Sequence, residues 1–321
     1  MKIFPLNLIP YGTKIDFMRM RWVSLTVAAL LTLASIVAIA TMQFNFALDF
    51  TGGTSVEVRF AKLADVDAVR SKLADAGYTS AQVQTFGSGN DLLIRLQGKE
   101  GAGQQTDPTQ IADHVVSIVT SAGNPAQRMS SGYVGSQVGK ELAWNGIWAL
   151  LFVMVGFLAY ISFRFEWKFA VSAIITTLSD IIIVAGWFAV TQHEFDLTVL
   201  AGILSALGYS INDKIVVFDR VRENFRAMRA PPREILNASI NQTLSRTIIV
   251  SFVAFLTVLA LYLYGGGSLQ GMAEAQMIGI VLGTLSSIFV ACPLLTIGPL
   301  QVSKQDLMPK AKDEAALARR P

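Results

Sequence analysis

The chain has 321 residues, 52% hydrophobic and only 15% charged, with a net charge of +3 and one cysteine. Soluble domains carry about 25% charged residues, so an ordinary water-soluble globular protein is excluded. A lone cysteine, Cys292, excludes an intrachain disulfide and reads as a small buried hydrophobe.

The apolar residues gather in six runs, 23–42, 142–163, 169–190, 197–218, 248–264 and 277–295. Stretches of about 17–25 apolar residues span a bilayer as helices. The expected fold class is an integral-membrane, all-α bundle of six spans, with an external α+β domain of ferredoxin-like type between the first and second. Residues 1–22 form a basic N-terminus with Lys2, Lys14, Arg19 and Arg21. The first run, 23–42, ends near Ala38-Ile39-Ala40, which resembles a signal cleavage site. A signal h-region is only about 7–15 residues long, so the run reads as a retained helix.

Residues 43–141 carry eight basic and ten acidic residues and read as a folded domain. The stretch 54–60 alternates apolar and polar as a half-buried strand does. Val66, Val69 and Leu73 have helical spacing, and Gly77 stops that helix. Runs 82–86 and 92–96 predict two strands joined by a hairpin at 87–90. Asp107-Pro108 opens a second helix with stripe Ile111, Val115, Ile118 and Val119. A last strand is predicted at 127–134. The order β-α-β-β-α-β is that of the split ferredoxin-like unit. The polar, Gly-rich segment 99–106 is the expected flexible point.

Residues 142–298 form a five-helix region with a basic loop at 219–246, and 299–321 form a charged tail. The basic loop contains Pro231-Pro232 and predicts short helices lying on the membrane face. Lys and Arg collect at the N-terminus, at Arg164 and Lys168, in that loop and in the tail, while 192–196 and 265–276 contain none. The positive-inside rule therefore puts both termini in the cytoplasm and the large loop outside. Gly279, Gly283 and Ser287 give the last span a four-residue stripe of small side chains, a packing seam.

Charges at membrane depth point to function. An Asp there costs roughly 2.5–3.5 kcal/mol on insertion scales and is retained only when stabilised or used. Asp213 lies in the fourth span, Asp180 near the middle of the third, and Arg246 just before the fifth. Together they suggest a proton or ion relay between helices, with Tyr209, Ser210 and Asn212 as supporting residues. Tyr209 shares a helix face with Asp213, and Asn212 points about a hundred degrees away. The same residues also fit a buried ion pair, Asp213 with Arg246 or with Lys214, that only fixes packing. Asp180, beside Ser179, also fits a helix-packing hydrogen-bonder. Lys214 is expected to snorkel to the cytoplasmic surface. Neither His114 nor His193 sits in a metal-ligand spacing, and no phosphate loop or nucleophile–base constellation occurs. Neither an enzyme nor a cofactor is expected.

Five segments resemble, in order, elements of the SecF family, the smaller membrane subunits of the SecD–SecF accessory complex of bacterial protein export. Asp49-Phe50-Thr51-Gly52-Gly53-Thr54 is similar to its DFTGGT element. Residues 133–142, YVGSQVGKEL, are similar to VGPxVGxEL, and 164–170, RFEWKFA, to RFEWRFA. Residues 208–224, GYSINDKIVVFDRVREN, are similar to GYSINDT followed by DRIREN, and 241–247, NQTLSRT, to NQTLxRT. Ser136 replaces a common Pro, Ser179 a common His and Lys214 a Thr. The resemblance implies a resistance-nodulation-division type subunit in the bacterial inner membrane that assists late steps of export with the proton motive force. It maps the family's membrane carboxylate onto Asp213 and its arginine onto Arg246. It implies SecD, YajC, the SecYEG channel with SecA, exported polypeptide chains and membrane lipids as partners, and no nucleic acid. Two alternatives stay open: a scaffold that stabilises SecD and recruits the channel, and half of a small-molecule exporter.

Overall fold

Among the described residues, six helices are long and apolar enough to cross a membrane: Phe17–Met42, Gln137–Arg164, Trp167–Thr191, Leu197–Ala227, Pro232–Tyr264 and Leu269–Leu294. The computed structural model describes residues 14–79, 81–86, 90–97, 108–121 and 123–303. The flexible segment expected at 99–106, most of the hairpin at 87–90, the Asp107 cap and the tail from 304 lie outside these.

In chain order the elements are α1 (Arg21–Met42), β1 (Asn45–Phe46), α2 (Leu48–Thr51), β2 (Gly53–Phe60), α3 (Val66–Asp75), β3 (Gln82–Phe86) and β4 (Asp91–Gln97). Then come α4 (Pro108–Val119), β5 (Ala126–Val134), α5 (Ser136–Arg164), α6 (Trp167–Thr191), β6 (Glu194–Phe195), α7 (Leu197–Ala227), α8 (Pro232–Tyr264) and α9 (Gly267–Ser286).

The α+β domain has the expected topology. Its sheet runs β3-β4-β2-β5 with every pair antiparallel, the order a split β-α-β-β-α-β unit requires. Val56, Val58, Leu92 and Ile94 from the central strands pack against Val69 and Leu73 of α3 and Ala112, Val115 and Val119 of α4. Asp65 caps α3 by accepting from the Asp67 and Ala68 amides, and Gly77 follows it at φ +92°.

Two contacts seat this domain on the helices. Gly52 ends α2 at φ +70°, and a Cβ on Gly139 of α5 would lie 3.1 Å from the Gly52 nitrogen and the Phe50 carbonyl oxygen. The DFTGGT and VGKEL segments are thus the two halves of one close backbone approach. In the second contact, β1 pairs in parallel with β6, joining the segment after α1 to the turn between α6 and α7. Phe44, Phe46, Phe50, Phe188 and Phe195 stack around that turn.

Helices α6, α7 and α9 form the centre of the bundle, while α1, α5 and α8 expose most of their apolar surface. The short helices expected within 219–246 are not there. Instead α7 runs on to Ala227 and α8 starts at Pro232, a favoured first helical residue. The extensions keep a helical stripe and close their own core: Val221 and Phe225 pack with Ile235, Leu236 and Ile240. Asn224 Nδ2 donates to Ser239 Oγ at 2.9 Å and to Gln242 Oε1 at 3.0 Å. Asp219 accepts from Arg164 and Arg222, and both guanidinium groups stack on Phe165. Asn237 and Asn241 bind the backbone of Met18 and Ile15, tying the start of the first span to α8.

The last span is interrupted by a π-helical turn at Ser287–Ala291. Pro293 explains it, because proline has no N–H and its ring displaces the carbonyl four residues back. Ser172 Oγ of α6 donates to the Ala291 carbonyl at 2.8 Å and ties α6 to this turn.

Candidate functional site

Two polar clusters lie on different sides of α7, both inside the helical bundle. Residues four apart on a helix share a face, and adjacent residues do not. Ser210 and Lys214 therefore face α6, and Tyr209 and Asp213 face α8 and α9.

In the first cluster Lys214 has no exposed surface. Its ammonium donates to Asp180 Oδ2 of α6 at 2.8 Å and to Ser210 Oγ. The same carboxylate oxygen accepts from Ser210 Oγ at 2.7 Å and from Ser286 Oγ of α9 at 2.8 Å. This overturns two readings. Lys214 does not snorkel, because a carboxylate and hydroxyls inside the bundle satisfy it closer than the headgroups would. Nor does it pair with Asp213, since one step along a helix turns the side chain by about a hundred degrees.

The second cluster surrounds Asp213, which is 4% exposed. The hydroxyls of Ser251 on α8 and Thr284 on α9 lie at its carboxylate. Tyr209 donates to Ser251 Oγ at 3.0 Å, and Thr284 Oγ1 is 2.7 Å from the same atom. Asp213 Oδ2 is buried with no hydrogen-bond partner among the described residues. Such an oxygen costs free energy until something that donates to it, or neutralises it, arrives. Arg246 forms no ion pair among the described residues: it is exposed beside the buried stripe Thr243, Thr247 and Ser251, and its charge reaches Asp213 only through space. The direct Asp213–Arg246 pair is therefore not formed. Asn212 is exposed, facing a groove of about 560 Å³ that Phe152, Phe157 and Tyr160 also line.

Close packing of α7 on α9 holds both clusters. A Cβ on Gly202 would meet the Met272 carbonyl oxygen at 2.5 Å, and one on Gly283 would lie 2.7–3.0 Å from Ser210 atoms. A Cβ on Gly279 would collide with that of Ala206. The expected small-residue seam at Gly279 and Gly283 thus fits against Ala206 and Ser210. At the third position, Ser287 bonds the Thr284 carbonyl of its own helix.

Where α6 turns into α7, Arg95 of β4 is bonded to Glu194 of β6. Burial pushes the Arg95 guanidinium down to about 10, opposed by Asp196 and Asp49, so it stays charged at neutral pH. Asp196 caps α7 through the Val199 amide at 2.7 Å, and Asp49 accepts from the Leu197 amide at 3.3 Å. Glu274 of α9 accepts from Trp187 Nε1 at 2.7 Å and sits 2.9 Å from His193 Nδ1. A cleft of about 680 Å³ separates the sheet from these residues. Removing one partner of a buried pair costs roughly 3–5 kcal/mol. Arg95→Met is expected to loosen the sheet from the α6–α7 turn, read as faster amide exchange at 194–199. Unchanged exchange there would show that the pair does not hold the turn.

Sequence reasoning did not find the Lys214–Asp180 pair, Ser286, Ser251, Thr284 or the Arg95–Glu194 bridge. Hydroxyls at helical spacing in otherwise apolar spans were the available signal for Ser251 and Thr284. No group of three or more metal-ligating side chains occurs among the described residues.

The sequence and fold have close counterparts. The family model described as protein export membrane protein SecD/SecF, C-terminal, matches residues 114–298, and the SecD/SecF GG motif matches 37–62. Protein translocase subunit SecF of Pseudomonas aeruginosa is 43% identical over 309 residues, covering 95% of this chain and 97% of the relative. Protein translocase subunit SecF of Vibrio alginolyticus is 42% identical over 296 residues, 92% of each chain. The crystal structure of SecDF from Thermus thermophilus, titled a translocon-associated membrane protein, superposes with a TM-score of 0.80 at 33% identity and covers 89% of this chain. The present chain spans 38% of that longer one. The match to residues 37–62 takes in the Gly52–Gly139 contact, and the match to 114–298 takes in both polar clusters of α7. With six spans and that coverage, the chain belongs to the SecD/SecF family of protein export membrane proteins.

Proposed function

We propose that the chain is an auxiliary subunit of the Sec protein translocase that uses the proton motive force to assist late steps of export across the bacterial inner membrane. Asp213 takes up and releases the proton, and Arg246 and Asp180 tune it. The observation that carries this reading is Asp213 itself, a buried carboxylate with one unpartnered oxygen inside a ring of hydroxyls. A proton moving down the gradient supplies roughly 2.3 kcal/mol per 100 mV. The polar turn at β6 offers a route for that work, since it joins the two helices bearing Asp180 and Asp213 to the α+β domain.

Orientation follows from the positive-inside rule: both termini are cytoplasmic and residues 43–141 form the periplasmic domain. SecD is the proposed partner. Relatives are named as SecF, the similar crystal structure is a single SecDF chain, and six-span halves of such transporters work in pairs. YajC, SecYEG with SecA, and the exported polypeptide complete the proposed assembly.

The test uses inverted membrane vesicles holding the complete complex. Completion of precursor transport is measured with the proton gradient intact and after an uncoupler collapses it. The chain is expected to raise completion severalfold only with the gradient present. An equal benefit in its absence would return the scaffold reading.

A further inference from the structure

Resting on that reading, we propose that Lys214 and Asp180 form an internal, neutral charge-balancing pair that sets proton exchange at Asp213 without carrying the proton itself. Lys214 is fully buried, and its ammonium is fixed by Asp180 of α6 and Ser210 of its own helix. Asp180 Oδ2 accepts from three donors on two helices, the arrangement of a carboxylate neutralised in place. Asp213 is the next residue back, on another face of α7, and shares none of these donors. The buried pair therefore cancels its own charge and leaves Asp213 as the one acid within the membrane spans with an unpartnered buried oxygen among the described residues.

The groups that act on Asp213 can be named element by element. The Asp180–Lys214 pair spans α6 and α7, and Tyr209 lies on α7. Arg246 and the Ser251 hydroxyl act from α8, and α9 contributes the hydroxyl of Thr284. Lys214 is the nearer member of the pair along the chain. Its charge favours an ionised Asp213, and Asp180 offsets that influence. A cation beside a carboxylate lowers its hold on a proton, and an anion raises it.

The experiment measures gradient-driven export per molecule against pH, together with abundance, in vesicles holding the complete complex. Lys214→Met is expected to move the pH profile up by about one unit, and Asp180→Asn to move it down. Each single change leaves a buried charge without its partner, so abundance is expected to fall severalfold. The double variant Asp180→Asn with Lys214→Met is expected to recover wild-type abundance and proton-driven export, with a profile between the singles. A double variant that is abundant yet as inactive as Asp213→Asn would overturn the proposal, because Asp180 would then carry protons. So would a Lys214→Met profile that superposes on wild type while Asp213→Asn is inactive. Full gradient-driven export by Asp213→Asn would instead overturn the parent reading, and this inference with it.

Discussion

Asp213→Asn is expected to abolish the contribution of the proton gradient to export while leaving the protein as abundant as wild type. Asparagine has the same shape and still accepts from the hydroxyls of Ser251 and Thr284 that line the site. It adds no charge to a position 4% exposed, so packing of α7 against α8 and α9 is preserved. What it loses is the capacity to be neutral facing one side of the membrane and charged facing the other. One proton's work at 100 mV, roughly 2.3 kcal/mol, is about a fortyfold factor in an equilibrium. Completion of export is expected to fall to the level seen with the gradient collapsed, and an uncoupler is expected to change the variant no further. Unaltered, uncoupler-sensitive export by Asp213→Asn would remove proton exchange from this residue.

Membrane architecture was legible because it is written locally. A span needs only length and apolarity, and the six runs coincide with the six long helices. The β-α-β-β-α-β unit was legible for the same reason, its period-two and period-3.6 stripes being interrupted by Gly77 and Pro108. The helical extensions of α7 and α8 were missed because a hydropathy threshold stops where charges accumulate, from Asp219 and Arg220 onward. The buried stripe of Val221, Phe225, Ile235 and Leu236 continues through them.

Site chemistry was half legible. A costly acid in a span announces itself, but its partner does not. Adjacency made Lys214 look like a counter-ion for Asp213, whereas the helix turns it onto Asp180, thirty-four residues away in sequence. Arg95 and Glu194 are ninety-nine residues apart and carry no periodic signal, so only the fold brings them together. Asn224, Asn237 and Asn241, all in or near family-like segments, hold helix extensions together and lie outside both polar clusters.

The second large effect belongs to the α7–α9 seam. In lipid there is no hydrophobic force between helices, so close approach of small residues supplies much of the attraction. A Cβ on Gly279 would collide with that of Ala206, while Ser210, one turn further along, lies against Gly283 and holds Asp180 and Lys214. Gly279→Leu is therefore expected to separate the helices, reduce the complex in membranes at least tenfold, and take proton-driven export with it. Gly279→Ala overpacks by a single methyl, a change that typically costs about 1–3 kcal/mol. Moving the methyl across the seam tests whether volume is the cause. In the double variant Ala206→Gly with Gly279→Ala, the helix-propensity gain and loss of about 1 kcal/mol each cancel. The colliding pair becomes one methyl against one hydrogen again. The double variant is expected to recover the thermal transition of the wild-type complex to within a few degrees. A double variant no more stable than Gly279→Ala alone would mean that Gly279 acts through something other than its contact with Ala206.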